Sequence, residues 1–411
     1  MTAVPADIGD QPVLSGVWSD LVGQQQAVVA LRRAVVAAQA AKLAMTSKAG
    51  WRVDAHHAMT HAWLLTGPPG SGRSVAARAF AAALECPDGG CGHCNTCRTS
   101  LSGAHPDITI CRTEQLSIKV DEIRELVRKA AMAPISGPWQ ILIVEDADRV
   151  GDRAADALLK SLEEPPARTV WLLCAPNADD MVATIRSRTR QVRLVTPSDQ
   201  AVAQLLMSRD GVSSDDAWRA ARAAQGHIGR AKALAGDHQV WERRQSIVNL
   251  PKQWTSLTAC LESAADVVAQ AQKEAEAKTA ELDLAERRQL EQALGVGGKA
   301  SRPRSAAAAL SQLEEQQKAR AKRLQRDSID FVLTELASWY RDVLAIQSGV
   351  ASTDLINLAN NADVRVAAAA STPQRTTAQL RAILGTRGVI ESNVPPLLAV
   401  EALFVELARQ G

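Results

Sequence analysis

The sequence predicts a doubly wound α/β domain followed by regions that are entirely helical. In the first half, apolar runs typical of buried parallel strands alternate with helical patterns, and a glycine-rich loop opens the series. From Pro197 onward strand patterns disappear and helical patterns take over. A chain of 411 residues has room for two or three domains with cores of their own.

The composition narrows the class of protein. Hydrophobic residues make up 46% of the chain, yet no apolar run approaches membrane-spanning length, which predicts a soluble protein without a membrane partner. The N-terminal residues contain neither a basic segment nor an apolar one, so we expect no secretion signal and a cytoplasmic location. The net charge of +2 does not by itself indicate a nucleic-acid binder.

A phosphate-binding loop opens the α/β domain. The stretch 67–74 reads GPPGSGRS, and it lies between an apolar run and an alanine-rich helical pattern, as a P-loop does. The glycines allow several backbone N–H groups to converge on one anion, and the helix N-terminus adds its positive dipole end. The motif normally has lysine where this chain has Arg73. The candidate phosphate-binding residues are Gly67, Gly70, Gly72, Arg73 and Ser74.

Polar residues follow two of the later apolar runs. Residues 140–144 read QILIV and are followed by Glu145 and Asp146. A later apolar run is followed by Asn177. Acidic residues at the end of a strand beside a P-loop hold Mg²⁺ and the attacking water. The alternative is a solvated acidic turn, and the presence of the P-loop favours the nucleotide site.

Four of the seven cysteines fall within twelve residues. Their spacing is Cys-x4-Cys-x2-Cys-x2-Cys, and glycines between them permit the tight turns of a zinc knuckle. Four thiolates would close the coordination shell, which predicts a structural Zn²⁺ without a catalytic role. The alternative is a surface loop with reactive thiols, which would be prone to oxidation. The candidate ligands are Cys86, Cys91, Cys94 and Cys97.

The helical part of the chain contains a charged segment. Residues 270–327 read as a solvent-exposed helical excursion with a flexible break at 295–305. The basic end of this excursion could face DNA, although a solvated face is the favoured interpretation. Its basic residues are Lys318, Arg320, Lys322, Arg323 and Arg326.

Several motifs resemble one known family. Residues 158–166 read LLKSLEEPP, residues 184–189 read TIRSRT, and the cysteine cluster directly follows the P-loop helix. Together they resemble the delta-prime subunits of bacterial DNA polymerase III clamp loaders, which are AAA+ proteins related to tau/gamma. The triplet HPD at 105–107 favours delta-prime over tau/gamma. The resemblance covers roughly residues 18–240.

The resemblance implies a domain organisation and a set of partners. It implies an AAA+ domain with a zinc module, a three-helix lid and a helical collar domain. The expected partners are the tau/gamma and delta subunits, with the sliding clamp and primer-template DNA reached through the complex. The corresponding ranges are 1–196 with the zinc module at 86–97, 197–240 for the lid, and 241–411 for the collar.

The resemblance also implies roles for individual residues. Arg188 corresponds to an arginine that enters the ATP site of a neighbouring subunit, where it would act as a finger in trans. Val22 lies in a segment that resembles the lining of the adenine pocket.

Three departures bear on whether this chain uses ATP itself. Arg73 replaces lysine, Glu145-Asp146 stands where active ATPases have Asp-Glu, and Gly229 falls where ATPase relatives carry arginine. Arg230 is one step further along the helix, and one step rotates a side chain by about 100°. Binding of ATP and Mg²⁺ therefore remains open, and hydrolysis by this chain is not expected.

Two alternatives from other functional classes remain. The chain could be an autonomous AAA+ ATPase of the tau/gamma type, which would hydrolyse ATP alone. It could also be a zinc-dependent DNA-binding module, which would retain primed DNA without partners.

Overall fold

A computed structural model describes residues 14–46, 59–113, 117–166, 168–294, 304–351, 354–391 and 394–409. The chain divides into two compact units, Met1–Gly236 and Asp237–Gly411. In the part of the chain that the structure describes, no helix is long and apolar enough to cross a membrane.

A parallel sheet of five strands forms the centre of the first unit, and it confirms the predicted α/β architecture. The strand order is β2-β3-β4-β1-β5, and all four pairings are parallel. The first strand is therefore internal, between partners from much later in the sequence. The strands are β1 (Ala62–Thr66), β2 (Ile108–Cys111), β3 (Gln140–Val144), β4 (Thr169–Ala175) and β5 (Arg190–Arg193).

Helices cover both faces of this sheet because the strands are apolar on both faces. Along β1, Trp63 and Leu65 enter one core cluster, while Ala62 and Leu64 enter the other. The alternation follows from the two-residue period of a strand. The helices of this layer are α1 (Gln25–Thr46), α2 (Arg73–Glu85), α3 (Asn95–Ser102), α4 (Val120–Ala130), α5 (Asp152–Glu163) and α6 (Ala183–Arg186).

Three short helices complete the first unit. They pack mainly on one another and belong to the same compact unit as the sheet. The predicted domain boundaries at residues 196 and 240 remain predictions. The helices are α7 (Asp199–Asp210), α8 (Ser214–Ala224) and α9 (Ile228–Gly236).

Among its described residues, the second unit contains helices and connecting turns but no strand. Its apolar core includes Trp254, which packs on Phe404 with ring centroids 4.7 Å apart. Its main helices are α10 (His238–Val248), α11 (Leu257–Ala293), α12 (Arg304–Gln347), α13 (Asn361–Ala370), α14 (Pro373–Glu391) and α15 (Pro396–Arg409).

The predicted charged excursion lies within a hairpin of the two longest helices. On α12, Arg320 pairs with Asp283 and Glu286 of α11, and its side chain is only 14% exposed. The prediction that Arg320 faces solvent or DNA is therefore wrong, because the guanidinium is taken up by the partner helix. The predicted flexible break falls mostly on residues 295–303, which are outside the described residues.

Candidate functional site

The P-loop connects β1 to α2 at the carboxyl edge of the sheet. The N–H of Gly67 donates to the carbonyl of Pro176 at 3.0 Å, which ties the loop to the end of β4. Gly72 caps α2 with a φ of 91°, a value in the left-handed region that glycine adopts without strain. Ser74, the second residue of α2, is half-buried. The predicted strand–loop–helix context is therefore present.

A buried glutamine joins the loop to the N-terminal segment. Gln24 is 2% exposed, and its side-chain amide donates to the carbonyls of Ser71, at 3.2 Å, and Val195, at 2.6 Å. Its amide oxygen accepts the N–H of Val195 at 3.0 Å. The half-buried Val22 is two residues away, so the segment predicted to line an adenine pocket lies beside the P-loop.

The arginine that replaces the P-loop lysine bends back onto the loop. Its Nη1 donates to the carbonyl of Gly67 in a short hydrogen bond. A lysine in this position normally presents its ammonium group to the β- and γ-phosphates. Arg73 instead satisfies a carbonyl of its own loop.

A histidine after α8 covers the other side of the loop. A Cβ atom added to Gly70, which has a φ of 82°, would lie 2.4 Å from Cγ of His227. Burial and the nearby Arg230 lower the pKa of His227, which favours the neutral imidazole. Its Nδ1 accepts the N–H of Arg230 at 3.2 Å, so Nε2 carries the proton.

The acidic residue at the end of β3 is held by two arginines. Glu145 Oε1 lies 3.1 Å from Nη2 of Arg78, and Oε2 lies 3.9 Å from Nε of Arg112. The Glu145 side chain is 7% exposed. The carboxylate that would hold Mg²⁺ or orient water is thus engaged in ion pairs.

The two remaining candidate residues lie at the same edge of the sheet. Asp146 has a left-handed backbone, with a φ of 54°, and precedes a short 3-10 turn. Asn177 is exposed, and its amide donates to the carboxylate of Asp180 at 3.1 Å. The fold therefore brings the strand ends together, while Glu145 and Asn177 already have partners within the chain.

The four clustered cysteines converge on one point. Their ligand atoms all lie within 4.8 Å of one another. Sγ of Cys86 is 3.8 Å from those of Cys91 and Cys94, and the Cys91 and Cys97 sulfurs are 4.0 Å apart. Tetrahedral zinc with bonds of about 2.3 Å separates its sulfur ligands by about 3.8 Å. The geometry therefore fits a Cys₄ metal site.

Backbone N–H groups support the sulfurs. The N–H of Cys97 donates to Sγ of Cys94 at 3.3 Å, and the N–H of Gly92 donates to Sγ of Cys97 at 3.4 Å. Hydrogen bonds from the backbone of Cys94 and His93 lower the pKa of the Cys91 thiol to about 6. Burial raises the pKa of the Cys97 thiol. N–H donors of this kind stabilise thiolate ligands.

The cysteine module and the P-loop lie at opposite ends of α2. It follows the end of α2, whose 13 residues extend over about 20 Å. The carbonyl of Gly90 accepts the N–H of Val17 at 3.1 Å, which fastens the module to the N-terminal segment. A metal bound here would stabilise structure and would not reach a phosphate on the P-loop.

Arg188 lies in the turn between α6 and β5. Its Nη1 donates to the carbonyl of Thr184 at 2.8 Å and to the hydroxyl of Ser187 at 3.2 Å. Its Nη2 forms an ion pair with Glu163, the last residue of α5. The Arg188 side chain remains 34% exposed.

Arg188 and the P-loop lie at opposite ends of the parallel strands. Arg188 is at the amino ends, which form one edge of the sheet, and the P-loop is at the carboxyl ends, which form the other. The parallel strands β1 and β5 pair with Trp63 opposite Arg190 and Thr66 opposite Arg193. Arg188 precedes β5, whereas the P-loop follows β1. The five residues of β1, about 15 Å of strand, separate the two edges. Arg188 therefore cannot serve the P-loop of its own chain.

Sequence reasoning missed several side chains that shape these sites: Gln24, Arg78, Arg112, Glu163 and His227. Three of them had a signal in the sequence: Glu163 belongs to the LEEPP motif, Gln24 is two residues from Val22, and His227 is two residues from Gly229. Arg78 and Arg112 have ordinary local surroundings in the sequence, and only the fold brings them to the sites.

The chain is similar to subunits of one bacterial enzyme. Residues 52–198 match the family model described as DNA polymerase III, delta subunit. DNA polymerase III subunit delta' of Escherichia coli is 36% identical over 215 residues, which cover 49% of this chain and 64% of that protein. The subunit delta' of Bacillus subtilis is 29% identical, over 47% of this chain and 59% of that protein. The match thus spans less than two thirds of either relative.

The similarity extends to a second subunit of the same enzyme. DNA polymerase III subunit gamma/tau of Mycobacterium bovis is 33% identical over 167 residues, which cover 39% of this chain and 29% of that protein. Among solved structures, a DNA polymerase III gamma subunit-related protein from Thermotoga maritima has a TM-score of 0.40 and 16% identity. That similarity covers 85% of this chain and 94% of the other.

Proposed function

Because residues 52–198 match the model of the DNA polymerase III delta-subunit family and delta' subunits are among the chain's relatives, we propose that it is a delta-prime-type subunit of a clamp loader. In this role it assembles with tau/gamma and delta subunits, and the complex places the sliding clamp on primed DNA. The chain contributes Arg188 to the ATP site of a tau/gamma neighbour. There the guanidinium stabilises charge on the transferring γ-phosphate.

The position of Arg188 is the observation that carries this proposal. Arg188 is at the edge of the sheet opposite the P-loop of its own chain, and a third of its side chain is exposed. An arginine in that place is out of reach of a nucleotide on its own P-loop and accessible to one that another subunit binds. Two of its contacts, to Thr184 and Ser187, hold the guanidinium in a defined orientation.

The chain's own P-loop is better suited to a structural role than to hydrolysis. Arg73 donates to the loop itself, and Glu145 is paired with Arg78. Hydrolysis requires a cation at the phosphates and a free carboxylate for Mg²⁺ or water at the same time. The ring of His227 also packs on Gly70. We propose that a nucleotide bound at this site is not hydrolysed.

The four cysteines would hold a structural zinc ion. Three of their sulfur–sulfur distances are 3.8–4.0 Å, which agrees with tetrahedral coordination, and four thiolates would leave no open position for a substrate. When bound, the ion would supply folding free energy to a segment that has little apolar core of its own.

Replacing Arg188 tests the proposed finger. In the reconstituted loader, Arg188→Ala should remove the share of ATP turnover that belongs to the neighbouring site, while assembly stays intact. Loss of an arginine finger lowers turnover at its site by about 10³-fold or more. Arg186→Ala is the matched control, because Arg186 lies two residues away and pairs with Asp179 instead. The measurement is steady-state ATP hydrolysis in the presence of clamp and primed DNA.

Two results would contradict the proposal. Wild-type ATP turnover in a loader with Arg188→Ala would exclude Arg188 as an arginine finger. ATP hydrolysis by the purified chain alone, abolished by Arg73→Ala, would instead identify an autonomous ATPase of the tau/gamma type.

A further inference from the structure

One motif of the sequence has no role in the function proposed so far. Residues 158–166 read LLKSLEEPP, and α5 ends within them at Glu163. Glu164 caps the helix with a φ of −123°, and the two prolines after it cannot continue a helix. The end of α5, and with it the position of Glu163, is therefore fixed by the sequence.

Helix energetics do not explain a glutamate at this position. The C-terminal end of a helix carries partial negative charge, so an acidic residue in the last turn is locally unfavourable. Glu163 forms an ion pair with Nη2 of Arg188, which compensates for this repulsion. The LEEPP motif and the TIRSRT motif, 25 residues apart from Glu163 to Arg188, are thus joined through these two side chains.

The contacts of Arg188 leave part of its guanidinium available. An arginine has five N–H donors. The contacts with Thr184, Ser187 and Glu163 engage the two terminal nitrogens, and none of them involves Nε. The side chains of Arg188 and Glu163 are 34% and 49% exposed, so an incoming phosphate can reach the pair.

We propose that Glu163 is a positioning residue for Arg188. It draws the guanidinium to one side of the α6–β5 turn and orders the flexible stem before the neighbouring subunit docks. An arginine that is already ordered loses less conformational freedom when it contacts the transition state. This proposal rests on the proposed finger function of Arg188.

Glu163→Gln tests the proposal in the reconstituted loader. It removes the charge and keeps the shape of the side chain. We expect the Arg188-dependent part of ATP turnover to fall about tenfold, because a displacement of about 1 Å in a catalytic group can cost up to about 100-fold. The KM for ATP should stay unchanged. Glu164→Gln is the matched control, since Glu164 is the next residue, is exposed, and makes none of the Arg188 contacts.

A double variant distinguishes positioning from a general structural role. Glu163→Gln should have no further effect on turnover when Arg188 is already alanine, and the thermal midpoint and assembly of the loader should be those of the wild type. An equal loss in both backgrounds, loss of assembly, or wild-type or raised turnover in the single variant would overturn the positioning role. If Arg188→Ala itself leaves turnover unchanged, the finger function fails, and the positioning role fails with it.

Discussion

Asp107 shows how a single buried carboxylate can organise a neighbouring segment. It is fully buried and accepts the N–H groups of Ile135, Ser136 and Gly137 at 2.5, 2.8 and 2.7 Å. It also accepts the hydroxyl of Ser136 at 2.9 Å. The aspartate of the HPD triplet therefore holds the turn that leads into β3. The aspartate of this motif therefore has a structural role in this chain.

Asp107→Ala should destabilise the protein by about 3 kcal/mol. The substitution removes the charged acceptor of three backbone N–H groups and one hydroxyl, and a hydrogen bond to a charged group contributes about 1.5–3 kcal/mol before relaxation. Chemical denaturation of the full chain at neutral pH measures the change. Asp121→Ala is the control, because the side chain of Asp121 is 90% exposed and its surface pair with Arg124 contributes little. A change below about 0.5 kcal/mol at Asp107 would contradict this account.

The difference in unfolding free energy between the wild type and Asp107→Ala should become smaller at acid pH. Burial raises the pKa of Asp107, but the hydrogen bonds to the carboxylate outweigh it, and the net pKa is lowered. A carboxyl with a lowered pKa in the folded state stabilises the protein above its unfolded pKa, and this stabilisation is lost as the pH falls through the folded pKa. The gap in unfolding free energy between wild type and Asp107→Ala should therefore narrow below the usual carboxyl range.

Among the secondary-structure elements, α3 depends most directly on the cysteine module. Its N-cap is Cys94, whose sulfur accepts the N–H of Cys97. Serine, threonine, asparagine or aspartate normally provides this acceptor at the start of a helix. The start of α3 and the proposed zinc site thus share a ligand, so metal loss should unwind the first turn of α3.

Removal of the metal should lower the thermal stability of the chain. We expect one zinc per chain by atomic emission, and a strong chelator should lower the unfolding midpoint by about 5–10 °C. Cys91→Ser should lower both the zinc content and the midpoint. Cys111→Ala is the control, because Cys111 lies outside the cluster on β2. A full complement of zinc in Cys91→Ser would show that the ion is bound elsewhere.

Elements with strong local signals were predictable from the sequence. The apolar run over residues 140–144 coincides with β3, because a strand buried on both faces needs an uninterrupted apolar segment. The cysteine spacing likewise predicted the cluster. Helix α4 begins only at Val120, because Ile118 before it forms an isolated parallel bridge with Val150.

Contacts between distant segments could not be predicted in this way. The pair of Arg78 and Glu145 joins α2 to the end of β3 across 67 residues. Nothing in the local pattern of either segment specifies the partner, since surface and edge charges pair according to how the elements pack. The P-loop motif predicted a phosphate site, but the competing contacts of Arg73 and Glu145 depend on the assembled sheet.

The helical unit contains a buried ion pair that joins two of its helices. Arg244 on α10 and Glu335 on α12 are 1% and 0% exposed, and their Nε and Oε2 atoms are 2.9 Å apart. Arg244 also donates to the side-chain oxygen of Asn357 at 2.5 Å, and the Asn357 amide in turn donates to Asp342 at 2.8 Å. These polar residues thus form one connected network in the interior of the helical unit.

Removing one member of the Arg244–Glu335 pair should lower the free energy of unfolding more than replacing both members. Glu335→Ala leaves a buried guanidinium without its carboxylate, which typically costs about 3–5 kcal/mol. A double variant, Arg244→Met with Glu335→Leu, should recover at least half of that loss, because no buried charge remains unpaired. Urea denaturation of the full chain measures both. A double variant as unstable as the single one would contradict this interpretation.

At the scale of the whole molecule, the parallel sheet gives the first unit two edges that carry different candidate sites. The carboxyl edge carries the P-loop with Arg73, and the opposite edge carries Arg188. In the proposed loader, the second edge faces a neighbour's nucleotide, and the first retains the form of a nucleotide site. A subunit with this arrangement can assist catalysis in a neighbouring subunit, while its own P-loop is hydrogen-bonded to Gln24 and packs against His227.

The internal position of β1 also has a consequence for the chain as it leaves the ribosome. Both partners of β1 are made much later, since β4 begins at Thr169 and β5 at Arg190. At about 5–20 residues per second, roughly 100 residues of further synthesis leave this apolar strand unpaired for about 5–20 s. During that interval the strand is open to chaperones and to other nascent chains. Substitutions that make residues 62–66 more prone to aggregate should therefore reduce the yield of folded protein in the cell without lowering the free energy of unfolding.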